Sequence, residues 1–241
     1  MRTGRAFRCL IVAVLGQVLL LSAGCSGFLQ QYNLYSAGIS VPGNEPLRKL
    51  EGTVCVLRAK VKTGDEGYQN MVSAALASAL HELKQESSND LEIIPFSHFV
   101  NLVNEKQLVE EYLALSNTYD RGGLMPQGGL RTFRDKLGID YFIKPTLLQL
   151  EQRSDKRLSV FSFRLIVTKE TTSEVSAEIW ETRTGRKVWE NGSGISMAGE
   201  SIKETRISPE EVTRRVCRAL FENLVAPKAE SDKEEASAGS E

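Results

Sequence analysis

The chain has 241 residues, of which 41% are hydrophobic and 25% charged. That is enough for one domain with a proper core and is ordinary for a globular protein. Lysine plus arginine number 30 and aspartate plus glutamate 31, a balance that gives no sign of a nucleic-acid partner.

The first residues read as an export signal. Arg2, Arg5 and Arg8 make a basic start, and Leu10 to Leu21 is apolar except for Gly16 and Gln17. Ser22, Ala23 and Gly24 are small residues suited to cleavage, and Cys25 follows them. The apolar run is shorter than the roughly 20 residues a comfortable spanning helix needs. Loss of residues 1–24 would leave 27 basic and 31 acidic side chains, a net charge of −4.

Residues 25–50 are expected to form a tether, because Gly27, Gly38, Pro42, Gly43 and Pro46 break up Ser26 to Pro46. Residues 51–226 should form the folded domain. Thr53 to Lys60 carries the continuous apolar run Val54-Cys55-Val56-Leu57, as in a strand covered on both faces. Val72, Leu76, Ala79, Leu80 and Leu83 recur at helical spacing, with the helix ending near Gln85. Ser87 to Asp90 is a turn and Leu91 to Pro95 a second strand. Phe99, Leu102, Val103 and Val109 predict a helix over residues 97–112. The stretch from Leu113 to Gly129 reads as irregular, with Gly122, Gly123, Gly128 and Gly129 in a flexible loop. A short helix over Leu130 to Leu137 ends at Gly138.

The period then changes. Ile139 to Leu150 is a strand. Phe161, Phe163, Leu165 and Val167 alternate with polar residues, as do Val175, Ala177 and Ile179. Arg183-Thr184-Gly185 is a hairpin turn, and Lys187 to Ser196 returns as the partner strand. Ser208-Pro209-Glu210-Glu211 signs a helix start, with an N-cap, a first-turn proline and a capping-box glutamate. Val212, Val216, Ala219, Leu220 and Leu224 mark its buried stripe. Residues 227–241 lack the apolar content for a core and should be disordered. The expected fold class is α/β (α+β): a single mixed sheet of about five to six strands with helices packed on it, and an antiparallel meander in the second half.

Candidate chemistry is sparse. His81 and His98 are not spaced as metal ligands, and no Cys-x-x-Cys or Gly-x-Ser-x-Gly motif occurs. No metal or cofactor is expected, and the chain is not read as an enzyme. Glu110-Glu111 and Glu210-Glu211 fall on predicted helices, where a solvated face is the default. Cys55 and Cys217 lie within the expected domain. They allow either a disulfide bridge, since export reaches an oxidising compartment, or two small buried apolar residues. Trp180 and Trp189 flank the hairpin turn. They are either exposed partner contacts or two rings packed across the strands.

Leu21-Ser22-Ala23-Gly24-Cys25 resembles the bacterial lipobox, although leucine usually stands three residues before the cysteine and here Ser22 does. The resemblance implies cleavage between Gly24 and Cys25 and a diacylglyceryl group on the Cys25 thiol. Ser26, in place of aspartate, implies sorting to the periplasmic face of the outer membrane. Two or three acyl chains anchor stably where a single chain is marginal.

Three stretches resemble a further group. They are Ala75 to Leu83 leading into Leu91-Glu92-Ile93-Ile94-Pro95, then Phe133 to Ile143 with Leu137-Gly138-Ile139-Asp140-Tyr141 at its centre, and Ala177 to Trp189 around Thr184-Gly185. Their order is similar to the small α/β domain of the curli-secretion lipoprotein, the penicillin-binding-protein activator lipoproteins and the TolB N-terminal domain. The resemblance implies an envelope role through protein contacts, as a non-catalytic interaction or assembly factor. Alternatives are a subunit of a secretion or envelope-spanning complex and an anchored enzyme acting on peptidoglycan. Partners are then the membrane, through the lipid, and envelope proteins. A membrane pore is not expected, because no spare pair of 9–11-residue strands beyond the sheet is visible.

Overall fold

The computed structural model describes residues 31–39, 47, 49–61, 67–87, 89–160, 163–201 and 208–225. The expected export segment, Gly24, Cys25, most of the expected tether and the expected disordered tail lie outside them.

Side chains of a strand alternate between faces, and strand β2 (Gly52–Val56) shows what that does here. Val54 and Val56 enter one apolar cluster, while Cys55 and the following Leu57 enter another. The strand therefore lies between two layers of helix, which explains its unbroken apolar run.

The other strands are β1 (Gln31–Ile39), β3 (Lys60–Val61), β4 (Leu91–Ile94), β5 (Tyr141–Val160), β6 (Phe163–Glu181) and β7 (Arg186–Ser201). They form one mixed sheet in the order β1-β7-β6-β5-β2-β4, with the short β3 paired to β5. Pairings β4–β2–β5 are parallel and β5–β6–β7–β1 antiparallel. The expected fold class holds, meander included.

Helices α1 (Gly67–Glu86) and α5 (Pro209–Val225) cover one face. Val72, Leu76, Leu80 and Leu83 meet Val216, Leu220 and Leu224 over Ile143, Val175 and Ile179. Ser208 caps α5 as its sequence suggests, its Oγ accepting from the Glu211 N–H at 3.2 Å. The opposite face is covered at one end by α2 (Phe96–Glu105), α3 (Val109–Gly122) and α4 (Gln127–Leu137). Phe99, Phe133 and Phe142 are fully buried there, their ring centroids 5.6–5.7 Å apart. Each such burial contributes about 1.5–3 kcal/mol.

Several expectations change. The helix predicted over 97–112 is two helices, broken near Gln107, whose φ is 56°. The loop predicted over 113–129 is mostly helix. Gly123 is the left-handed C-cap of α3 (φ 66°), and Gly128 and Gly129 begin α4. A Cβ at Gly129 would meet Leu115 Cδ1 at 3.5 Å, an ordinary contact, so crowding does not require glycine there. These glycines conceal the helices because their own propensity opposes helix. Residues 31–39, expected within the tether, form β1 against β7. The flanking glycines and prolines hid that strand.

The meander strands are also longer than expected. β5 has 20 residues and β6 has 19. Thr213, in the second turn of α5, reaches Ser173, and β6 runs ten residues back from there to Phe163.

Candidate functional site

Residues expected to act at the N-terminus, Gly24 and Cys25, lie outside the described residues. Those expected within the domain fall apart on the sheet. Cys55 and Cys217 are free thiols, both fully buried. Cys55 sits in the α2–α4 layer and Cys217 in the α1–α5 layer. The sheet separates them, so the bridge is not formed and both act as small apolar residues. Burial raises both thiols, Cys217 to about 12 and Cys55 well above its usual value.

Trp180 and Trp189 also face opposite ways. Trp189 stands opposite Ile179, and a register shift separates that pair from Trp180, which stands opposite Lys187. Trp180 is 5% exposed, within the α2–α4 layer. The Trp189 ring lies 5.1 Å from Phe221 on the other side. Trp180 is therefore not an exposed contact, and the two rings do not pack on each other. His81 and His98 are exposed on α1 and α2, helices of opposite layers. Among the described residues, no three histidine, cysteine or acidic side chains converge as a metal site.

The structure instead gathers Tyr119, Lys144, Glu178 and Lys187. Lys144 and Glu178 stand opposite each other on β5 and β6. The alternation of strands turns them toward α3, which brings Tyr119. The Tyr119 hydroxyl and the Trp180 indole N–H each donate to Glu178 Oε2 at 3.0 Å. Lys187 Nζ donates to Glu178 Oε1 at 3.3 Å and to Glu190 Oε2 at 2.6 Å. Lys144 is 8% exposed. Its Nζ donates to the Arg58 carbonyl at 2.9 Å and lies 5.2 Å from the Tyr119 ring centroid, within cation–π range.

Electrostatics follow from burial. Desolvation lowers the Lys144 pKa, against the pull of Asp120. Burial and then the Glu178 charge raise Tyr119, and burial raises Tyr112 to about 12. Burial opposes the charge on Lys187, but hydrogen bonding to Glu190 and the charge of Glu178 outweigh it and raise its pKa. A cavity of about 10 Å³ adjoins the cluster, lined by Leu57, Tyr112, Tyr119, Met125 and Lys144 among others. It has room for about one water. The arrangement ties α3 to the β6–β7 hairpin, and the cavity is too small for a substrate.

The residues that carry the family-like pattern have structural work of the same kind. The Asp140 carboxylate accepts the Thr53 N–H at 3.1 Å. Thr182 Oγ1 donates to the Ile139 carbonyl at 2.7 Å. Gly185, at φ 72°, presses on the start of α4, where an added Cβ would lie 2.9 Å from Gln127 Cα. The sequence reading did not single out Tyr119, Lys144 or Glu178. A lone lysine within the apolar strand 141–150 was the available signal.

The fold and cluster define an α/β domain with one mixed sheet between unequal helical layers. No known family profile matches the chain, and no curated protein matches it. Solved structures with a similar arrangement include the PelC dodecamer of Paraburkholderia phytofirmans. Its identity is 12% and its TM-score 0.44, covering 81% of this chain and 99% of that one. The lipoprotein GNA1162 of Neisseria meningitidis is 15% identical at TM-score 0.33, covering 64% and 87%. A neuraminyllactose-binding hemagglutinin homolog of Helicobacter pylori is 12% identical at TM-score 0.31, covering 77% and 84%.

Proposed function

We propose that this chain is a lipid-anchored envelope protein on the periplasmic face of the outer membrane, working by protein contact as an interaction or assembly factor. The observation that carries the reading is Leu21-Ser22-Ala23-Gly24-Cys25 behind a basic, apolar leader. Exposed apolar side chains on α3 and in the segment after it support the contact reading. Val109 and Leu113, one helical turn apart, are 40% and 47% exposed, and Leu124 is 64% exposed. Val109 and Leu113 at the start of the helix and Leu124 beyond its end give a contacting protein apolar side chains to cover.

Metabolic labelling with palmitate tests the anchor. The parent chain incorporates label and fractionates with outer membranes, and Cys25→Ser does neither. Crosslinking in intact cells, followed by purification in detergent, tests the contact. A discrete adduct that Leu113→Lys and Leu124→Lys abolish supports it; a chain recovered alone overturns it.

A further inference from the structure

The three helices of the α2–α4 layer are not held alike. Phe99 of α2 and Phe133 of α4 pack on Phe142 of β5, with ring centroids 5.6–5.7 Å apart. The Gly185 turn presses on the start of α4 as well. Helix α3 lies between these two and contributes no ring to that trio. Leu115 and Tyr119 are the buried residues among its 14, whereas α1 and α5 bury eight each. Tyr112 completes its inner stripe, and that ring leans on Phe99 of α2, edge to face at 5.4 Å.

The grip of α3 on the sheet is largely polar. The Tyr119 hydroxyl donates to Glu178 Oε2 at 3.0 Å, and Lys144 Nζ lies 5.2 Å from the Tyr119 ring centroid. Packing under the helix is loose. Leu115, Ser116 and Tyr119 bound the cavity of about 10 Å³ against Leu57, Met125 and Lys144. A gap of that kind forfeits the close contacts from which dispersion energy comes. Elements with few buried apolar contacts open ahead of the rest of a fold.

Both ends of α3 adjoin left-handed residues. Gln107, at φ 56°, precedes the helix, and Gly123, at φ 66°, caps it. That conformation strains a residue with a side chain, so Gln107 relaxes when the chain turns there. An added Cβ at Gly123 would meet nothing within 4 Å, which leaves that end room to turn. A few residues between elements that absorb a change of φ and ψ are what a hinge needs.

We propose that α3 is a hinged lid, which lifts as one body about Gln107 and Gly123 while α2 and α4 stay docked, with Tyr119 and Glu178 as its latch. Lifting bares Leu57, Met125 and Lys144 at the carboxyl end of β2. The lid belongs to the folded domain and is independent of the lipid anchor.

Hydrogen exchange in the purified full chain, read by mass in short peptides, tests the lid. Past its first turn, α3 should exchange at least about tenfold faster than the interiors of α1, α2, α4 and α5. Tyr119→Phe removes the latch hydroxyl and keeps the ring. It should speed exchange in α3 by roughly fivefold, the weight of one hydrogen bond. Val216→Ala loosens the core under α5, which stays packed when the lid lifts. That variant should speed exchange in α1 and α5 and leave α3 as it was. Exchange of α3 in step with α2 and α4, or unmoved by Tyr119→Phe, or speeded by Val216→Ala, overturns the lid.

Discussion

The Tyr119 hydroxyl and the Glu178 carboxylate, 59 residues apart, meet at 3.0 Å and join α3 to β6. Glu178 also accepts from Trp180 and Lys187, and while Lys187 keeps Glu190 as a partner, Tyr119 and Trp180 lean on this one carboxylate. Glu178→Ala should destabilise by about 2–3 kcal/mol, because it strands partly buried donors, whereas Tyr119→Phe should cost only about 1 kcal/mol. Urea midpoints of the two variants check this. Equal, small shifts would remove Glu178 from the centre of the network.

Alkali should weaken the fold progressively. Tyr112 is held up to about 12 and Cys217 to about 12, with Tyr119 and Cys55 also raised. Each group keeps its proton longer when folded than when unfolded, where thiols titrate near about 8.5 and phenols near about 10. Their contribution is therefore complete below about pH 8.5 and is lost as pH rises toward about 12. Unfolding midpoints taken from pH 7 to 12 should fall, and Tyr112→Phe should make the fall shallower.

Thiol chemistry offers an independent check on the two layers. Cys55 and Cys217 should resist an aromatic disulfide reagent while the domain is folded. Both should react at once in denaturant without reductant, since the sheet keeps them apart. Only one, or neither, reacting under those conditions would reveal a bridge.

Two glycines separate backbone geometry from crowding. Gly123 and Gly185 both have positive φ, but an added Cβ meets nothing within 4 Å at Gly123 and meets Gln127 at Gly185. Gly123→Ala should cost about 1–2 kcal/mol, the penalty of the left-handed conformation. Gly185→Ala should cost clearly more, because the turn must lift off α4. Thermal melts of the pair give the comparison.

Local pattern was enough where one element makes its own signal. The stripe Val72 to Leu83, the Ser208 cap and the Thr184-Gly185 turn each announce their structure through spacing or a special conformation, and the apolar run Val54 to Leu57 announces a strand covered on both sides. The mixed sheet follows from these. Signals diluted by glycine misled, as at α3, α4 and β1, because propensity there is overridden by packing against distant segments.

The sequence by itself determined the class of the fold and the buried stripes of its helices and strands, since these depend on neighbours along the chain. Tertiary structure alone decided that Cys55 and Cys217 lie on opposite sides of the sheet and that Trp180 and Trp189 face away from each other. It also decided that Tyr119, Lys144 and Glu178 form one cluster. Such relations depend on strand register and on which layer covers which face, and a shift of one residue reverses every side chain. Contacts between residues far apart in the chain have no local signature, so they appear only once the sheet is assembled.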